Sequence, residues 1–174
     1  MVPSSLSSSL PANAAAGKKI ALVVSRYHEE LTKELHEGAL NTLKKLGAKA
    51  EDLRSVWVPG AFEIPLAARA LSHDDYDAII CLGVIIKGET THDQYIAAEV
   101  ARGISSVALG ANIPVSFGVL TVQTLEQAKA RCGGDKGHKG VEAAESAVSM
   151  IVILEEIEDK SKAKETRSVG FGGR

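Results

Sequence analysis

Residues 78–86 read AIICLGVII, an unbroken apolar run. A strand with one wet face alternates between polar and apolar positions. A strand without alternation has both faces covered, which in α/β proteins is the middle of a parallel sheet. Working outward, Lys19–Ser25 (KIALVVS) has the same buried character, Leu53–Val58 is a strand closed by the Pro59-Gly60 turn, and Val115–Leu120 is a further one. Between them the period becomes helical. Glu29–Leu46 places Leu31, Leu35, Ala39, Leu43 and Leu46 on one face and ends at Gly47. Phe62–Ser72, with Ala67, Ala68, Ala70 and Leu71, is a short helix, and a break at Lys87–Thr91 precedes a long one over His92–Leu109. Leu125–Arg131 and Val141–Ile157 are the last helices, separated by a Gly- and Lys-rich loop, Gly133–Gly140. Alternating strands and helices joined by right-handed crossovers predict a three-layer α/β/α sandwich around a four-stranded parallel sheet.

The composition agrees. Aromatic residues are 4% against 45% hydrophobic overall, so the core must be aliphatic. The formal net charge of −2 offers no cationic excess for nucleic acid or an anionic membrane. No run approaches the roughly 18 apolar residues of a membrane span. Cys81 and Cys132 make no disulfide framework and read as reduced thiols of a cytoplasmic protein. Residues 1–17 are rich in Ser, Ala and Pro, lack a basic leader pattern, and are expected to form a flexible tail. Residues 160–174, charged and then Gly-rich, are expected to form a second tail, leaving 18–159 as one domain.

Ligands of open α/β sheets bind beyond the carboxyl ends of the strands, which selects Ser25–His28, Pro59–Glu63, Lys87–His92 and Leu120–Thr124. Lys87-Gly88-Glu89-Thr90-Thr91-His92 joins the most buried strand to a long helix, where free N–H groups and the helix dipole favour an anion. Thr90 and Thr91 add hydroxyl donors for a phosphate, or act only as ordinary helix caps. His92 stands at the positive end of that dipole, which favours the neutral imidazole a general base needs. A lone histidine is more often structural. Val58–Pro65 (VPGAFEIP) is a rigid turn able to present backbone groups and Glu63 to a flat polar heterocycle, or merely to start a helix. Tyr27 offers a ring for stacking, or is a plain rim aromatic. Arg131 and Lys139 flank a glycine-rich loop and can clamp a phosphate and meet a ring acceptor, or stay solvated. His36 and His73 look like surface residues, and no histidine spacing fits a metal site.

Taken in order, SRYHEELTKELHEGAL, VPGAFEIP, GVIIKGETTHDQYIAAEVARGI, SFGVLT and GHKGVEAA resemble the 6,7-dimethyl-8-ribityllumazine synthase family over nearly all of residues 18–158. VPGAFEIP followed by Gly88-Glu89-Thr90-Thr91-His92 is the most specific pairing. The resemblance implies a flavodoxin-like sheet and a transferase without metal or cofactor. That enzyme condenses 5-amino-6-(D-ribitylamino)uracil with 3,4-dihydroxy-2-butanone 4-phosphate, the penultimate step of riboflavin biosynthesis. The amine attacks the ketone, a Schiff base forms, phosphate leaves, and the ring closes with loss of water. The resemblance makes His92 the general acid/base and assigns the phosphate to Glu89, Thr90 and Arg131. Tyr27, Ala61, Phe62, Glu63, Val84, Ile85, Ile86, Phe117 and Lys139 then contact the aminouracil and its ribityl chain, with Glu142 near the histidine.

The chain departs from the family pattern at Thr91, Asp93, Gln94 and His138. The helix pitch is expected to turn the Asp93 carboxylate away from His92. The family's sites lie between subunits of a pentamer, which implies that Phe117, Arg131 and Lys139 face the His92 group of a neighbour. A short Gly133–Gly140 loop leans toward twelve pentamers in an icosahedral capsid, with riboflavin synthase a candidate partner. The rival readings are an archaeal-type riboflavin synthase and a flavodoxin-like flavin- or phosphate-binding module.

Overall fold

A computed structural model describes residues 10–169. Strands β1 (Ile20–Ser25), β2 (Leu53–Val58), β3 (Ala78–Ile86) and β4 (Val115–Val122) form one parallel sheet in the order β2-β1-β3-β4. Helices α1 (Glu29–Lys45), α2 (Ile64–Leu71), α3 (His92–Ala111), α4 (Leu125–Lys129) and α5 (Lys139–Val169) complete it. The strand alternation sorts the layers. Ile20, Leu22 and Val24 of β1 join Ile80, Leu82 and Val84 of β3 in a core shared with Leu35 and Leu43 of α1 and Ala147 and Val148 of α5. Ala21, Val23, Ile79, Cys81 and Ile85 point the other way, onto Ile64 and Ala68 of α2 and Val100 and Ile104 of α3. The expected three-layer α/β/α sandwich is therefore what the chain builds. Every β3 residue but the last is buried, as its unbroken apolar run requires.

Three regions differ from their sequence reading. Residues 10–17 turn against the body: the Ala15 N–H donates to the Leu46 carbonyl at 2.8 Å and Ala15 is fully buried. Small side chains that look like tail composition fit a narrow space beside Gly47, where an added Cβ would stand 3.2 Å from the Asn13 backbone. Residues 1–9 lie outside the described residues. At the other end, α5 continues past Ile157 to Val169. Lys, Ala and Glu keep helix propensity there after the core-facing apolar period has stopped. Lastly, the Gly133–Gly140 loop contains an antiparallel ribbon, β5 (Cys132–Gly134) with β6 (Gly137–His138). Gly133 and Gly137 supply its left-handed turns, with φ of 107° and 90°.

Two helices of one layer meet closely where α5 begins. A Cβ on Gly140 would fall 2.7 Å from the carbonyl carbon of Leu35 in α1. Among the described residues no helix is long and apolar enough to cross a membrane.

Candidate active site

β1 and β3 are neighbours whose following segments leave for opposite faces, α1 on one side and α3 on the other. That divergence opens a crevice at their carboxyl ends. After β1 the pairing runs on past the strand. Arg26 N–H donates to Val58 C=O at 2.8 Å and Tyr27 N–H to Pro59 C=O at 3.2 Å, which sets the Pro59-Gly60 turn beside Tyr27. The chain then reverses at His28, a non-glycine residue held at φ 59° and ψ 48°. The Thr32 hydroxyl holds the reversal by donating to the Ser25 carbonyl at 2.7 Å. Tyr27 is left 68% exposed at the rim, its ring edge-on to His28 with centroids 4.8 Å apart.

The second wall comes from the proline-bracketed turn. Ala61–Glu63 make a 3-10 turn that buries Ala61 and leaves Phe62 59% exposed. The floor is the end of β3: Val84, Ile85 and Ile86. Lys87 N–H donates to Val122 C=O at 2.9 Å, so β3 and β4 stay paired up to the Gly88 turn. Helix α3 opens at His92, whose N–H reaches the Thr90 hydroxyl at 3.4 Å, while Gln94 N–H donates to Thr91 C=O. Thr91 makes no side-chain cap bond, so the helix start is not closed off by its own cap residue.

These segments line one cleft of about 670 Å³. It gathers Tyr27, Ala61, Phe62, Glu63, Val84, Ile85, Ile86, Thr90 and His92 from the sequence reading. It also holds His28, from the selected loop after β1, and three groups that reading passed over: Tyr95, Ile96 and Glu99. His92, Tyr95, Ile96 and Glu99 follow the i, i+3, i+4, i+7 spacing of one helical face, so a helix beginning at His92 carried the signal. Asp93 belongs to the same wall. It lines the cleft, and its Oδ1 is buried without a hydrogen-bond partner.

Four candidates stand elsewhere. Glu89 is exposed on the turn and does not line the cleft. Phe117, 44% exposed, is on the edge strand β4. Arg131 donates through Nη1 to the Gln127 carbonyl at 3.0 Å, and Lys139 is ion-paired with Glu142. Arg131 and Lys139 are joined to each other, Lys139 N–H donating to Arg131 C=O at 2.8 Å. The chain thus carries two separate groups of candidate residues.

Charge sharpens the separation. The cleft lining contains the carboxylates Glu63, Asp93 and Glu99 and no Lys or Arg. Burial lowers the proton affinity of His28 and favours its neutral ring. His138 is lowered by the same cause, opposed by Glu34 and Glu142. Burial pushes the Cys132 thiol up to about 11, with Glu34 adding to it, and pushes the fully buried Cys81 up as well. Neither thiol is a ready nucleophile. Among the described residues no group of three or more His, Cys, Asp or Glu is arranged to hold a metal.

An open parallel sheet, an uncapped helix start and a histidine beside an apolar, carboxylate-bearing cleft define an α/β enzyme for a small molecule. Residues 17–155 match the family model described as 6,7-dimethyl-8-ribityllumazine synthase, and the chain belongs to that family. Proteins of that name from Coxiella burnetii are among its relatives. Those from strains CbuG_Q212 and RSA 493 / Nine Mile phase I are each 48% identical over 141 residues, covering 80% of this chain and 93% of theirs. The protein from strain Dugway 5J108-111 has the same identity and coverage.

Proposed function

We propose that the chain condenses 5-amino-6-(D-ribitylamino)uracil with 3,4-dihydroxy-2-butanone 4-phosphate to give 6,7-dimethyl-8-ribityllumazine, phosphate and water, as a transferase of riboflavin biosynthesis. The observation that carries this reading is the convergence of Tyr27, the Ala61–Glu63 turn, the end of β3 and His92 on one cleft. Tyr27 and Phe62 offer ring faces to a planar pyrimidine, and Glu63 can accept from a donor on it. The start of α3, with Thr90, suits a phosphate. His92 then takes and returns the protons that Schiff-base formation, phosphate loss and ring closure require.

The cleft's charge supports an assembled site. Three carboxylates without a cation do not complement a phosphate dianion. Arg131 and Lys139 supply the missing charge if a neighbouring copy brings them over the cleft together with Phe117. On this reading the working unit is a homo-oligomer, a pentamer, with twelve pentamers closing a capsid. The tight β5–β6 ribbon is compatible with that packing. Riboflavin synthase would be a partner of that capsid, and the free buried thiols suit the cytoplasm.

Two bound substrates gain several kcal/mol from effective molarity alone. His92→Ala is therefore expected to lower kcat by about 10²–10⁴ without abolishing turnover. Lumazine absorbance on mixing both substrates with purified protein reads this directly. No product from folded, assembled wild-type protein would end the enzyme reading and leave a flavin-binding module, and undiminished turnover in the variant would remove His92 from the chemistry.

A further inference from the structure

The β5–β6 ribbon is seated on the body by one side chain. The His138 ring lies over Gly38 of α1, where an added Cβ would stand 2.8 Å from Nδ1 and closer still to Cε1 and Nε2. On the ribbon, a Cβ on Gly133 would stand 3.3 Å from Cδ2 of the same ring. The imidazole thus occupies a slot with a glycine on each side, too narrow for any other residue type at either position without movement. Its Nδ1 is buried and has no hydrogen-bond partner, so packing against the two glycines and not a bond at Nδ1 holds the ring there.

What the ring seats matters more than the seat. His138 pairs across the ribbon with Cys132, directly after Arg131. Lys139 follows His138, and its N–H donates to the Arg131 carbonyl. Both cations therefore inherit their backbone position from the way the ribbon sits on α1. A shift of the ring moves the two together. We propose that His138 is a positioning residue, a peg between Gly38 and Gly133 that fixes where Arg131 and Lys139 stand for substrate. This rests on the reading of Arg131 as the phosphate cation.

The test is a double-mutant cycle on the assembled enzyme, with KM for 3,4-dihydroxy-2-butanone 4-phosphate and the melting temperature as readouts. His138→Ala is expected to raise that KM about tenfold in the native background and less than twofold when Arg131→Ala is already present, because it acts through Arg131. A merely structural residue shows no such dependence. Gly38→Ala, whose methyl displaces the ring, is expected to raise the same KM, and His138→Asn to do so less than His138→Ala. If His138→Ala melts too low to assay, His138→Asn and Gly38→Ala carry the cycle in its place. An unchanged KM in folded His138 and Gly38 variants, or effects that multiply with Arg131→Ala, overturns the proposal. If Arg131→Ala itself leaves KM unchanged, the phosphate reading of Arg131 has failed and the peg has no substrate role.

Discussion

His36 sits on α1 with Nε2 2.7 Å from the Ser55 hydroxyl and its ring edge-on to Trp57, centroids 5.3 Å apart. It was expected at the surface, but the end of β2 half-covers it. Burial lowers its proton affinity, as it does for His28 and His138. The unfolded chain therefore takes up protons first, and stability gained from these groups is full above their ordinary value of 6.5. It is lost as pH falls through that value toward the folded ones. Melting temperatures across that range should decline below it, and His36→Gln, which does not titrate, should flatten the slope. An unchanged slope would clear His36 of the effect. At this scale the sequence exposes Tyr27, Thr90 and His92 because strand ends announce themselves. Glu99 stayed hidden because a helix starting at His92 does not itself say which of its faces borders the strand ends, although the i, i+7 spacing from His92 marks it.

Strands were legible to within a residue or two. β3 begins and ends where its apolar run does, since a strand covered on both faces leaves no polar position inside the run, whereas β2, with Arg54 and Ser55 exposed, is marked by the Pro59-Gly60 turn that closes it. The β5–β6 ribbon was not legible: two left-handed glycines make it, and nothing in its residues alternates. The end of α5 was also missed, since helix propensity outlasts the buried face. The α1–α5 junction gives a test of its own. Gly→Ala inside a helix normally gains about 1 kcal/mol. At Gly140 the methyl meets the Leu35 backbone, so Gly140→Ala is expected to lose more than about 2 kcal/mol in urea denaturation. A stabilised variant would show that the two helices part easily.

The molecule as a whole leaves surfaces that a lone subunit would not choose. Leu66 and Leu109 are 75% and 83% exposed, and β4 has no strand on its outer side. If neighbours complete each site, subunits bearing His92→Ala and subunits bearing Arg131→Ala should repair one another. Dissociated and reassembled together, equal amounts are expected to regain about a quarter of wild-type activity, since that share of interfaces pairs two intact groups. No recovery in mixed oligomers would place both residues in one subunit's site. Strand and helix patterning reached the layer order and the strand-end cleft, while the place of Arg131 away from His92 followed from the family resemblance and not from any periodicity. The chain also carries its own lamp. Trp57, the chain's single tryptophan, lies under the Arg26 guanidinium at 5.6 Å and against His36, at the strand end that leads into the Pro59-Gly60 turn. Protonated imidazole quenches indole emission, so the intrinsic fluorescence should dim on acidification and shift when a ligand moves the Arg26–Tyr27 segment. Occupancy can then be followed optically, one emitter for every cleft, without any dye.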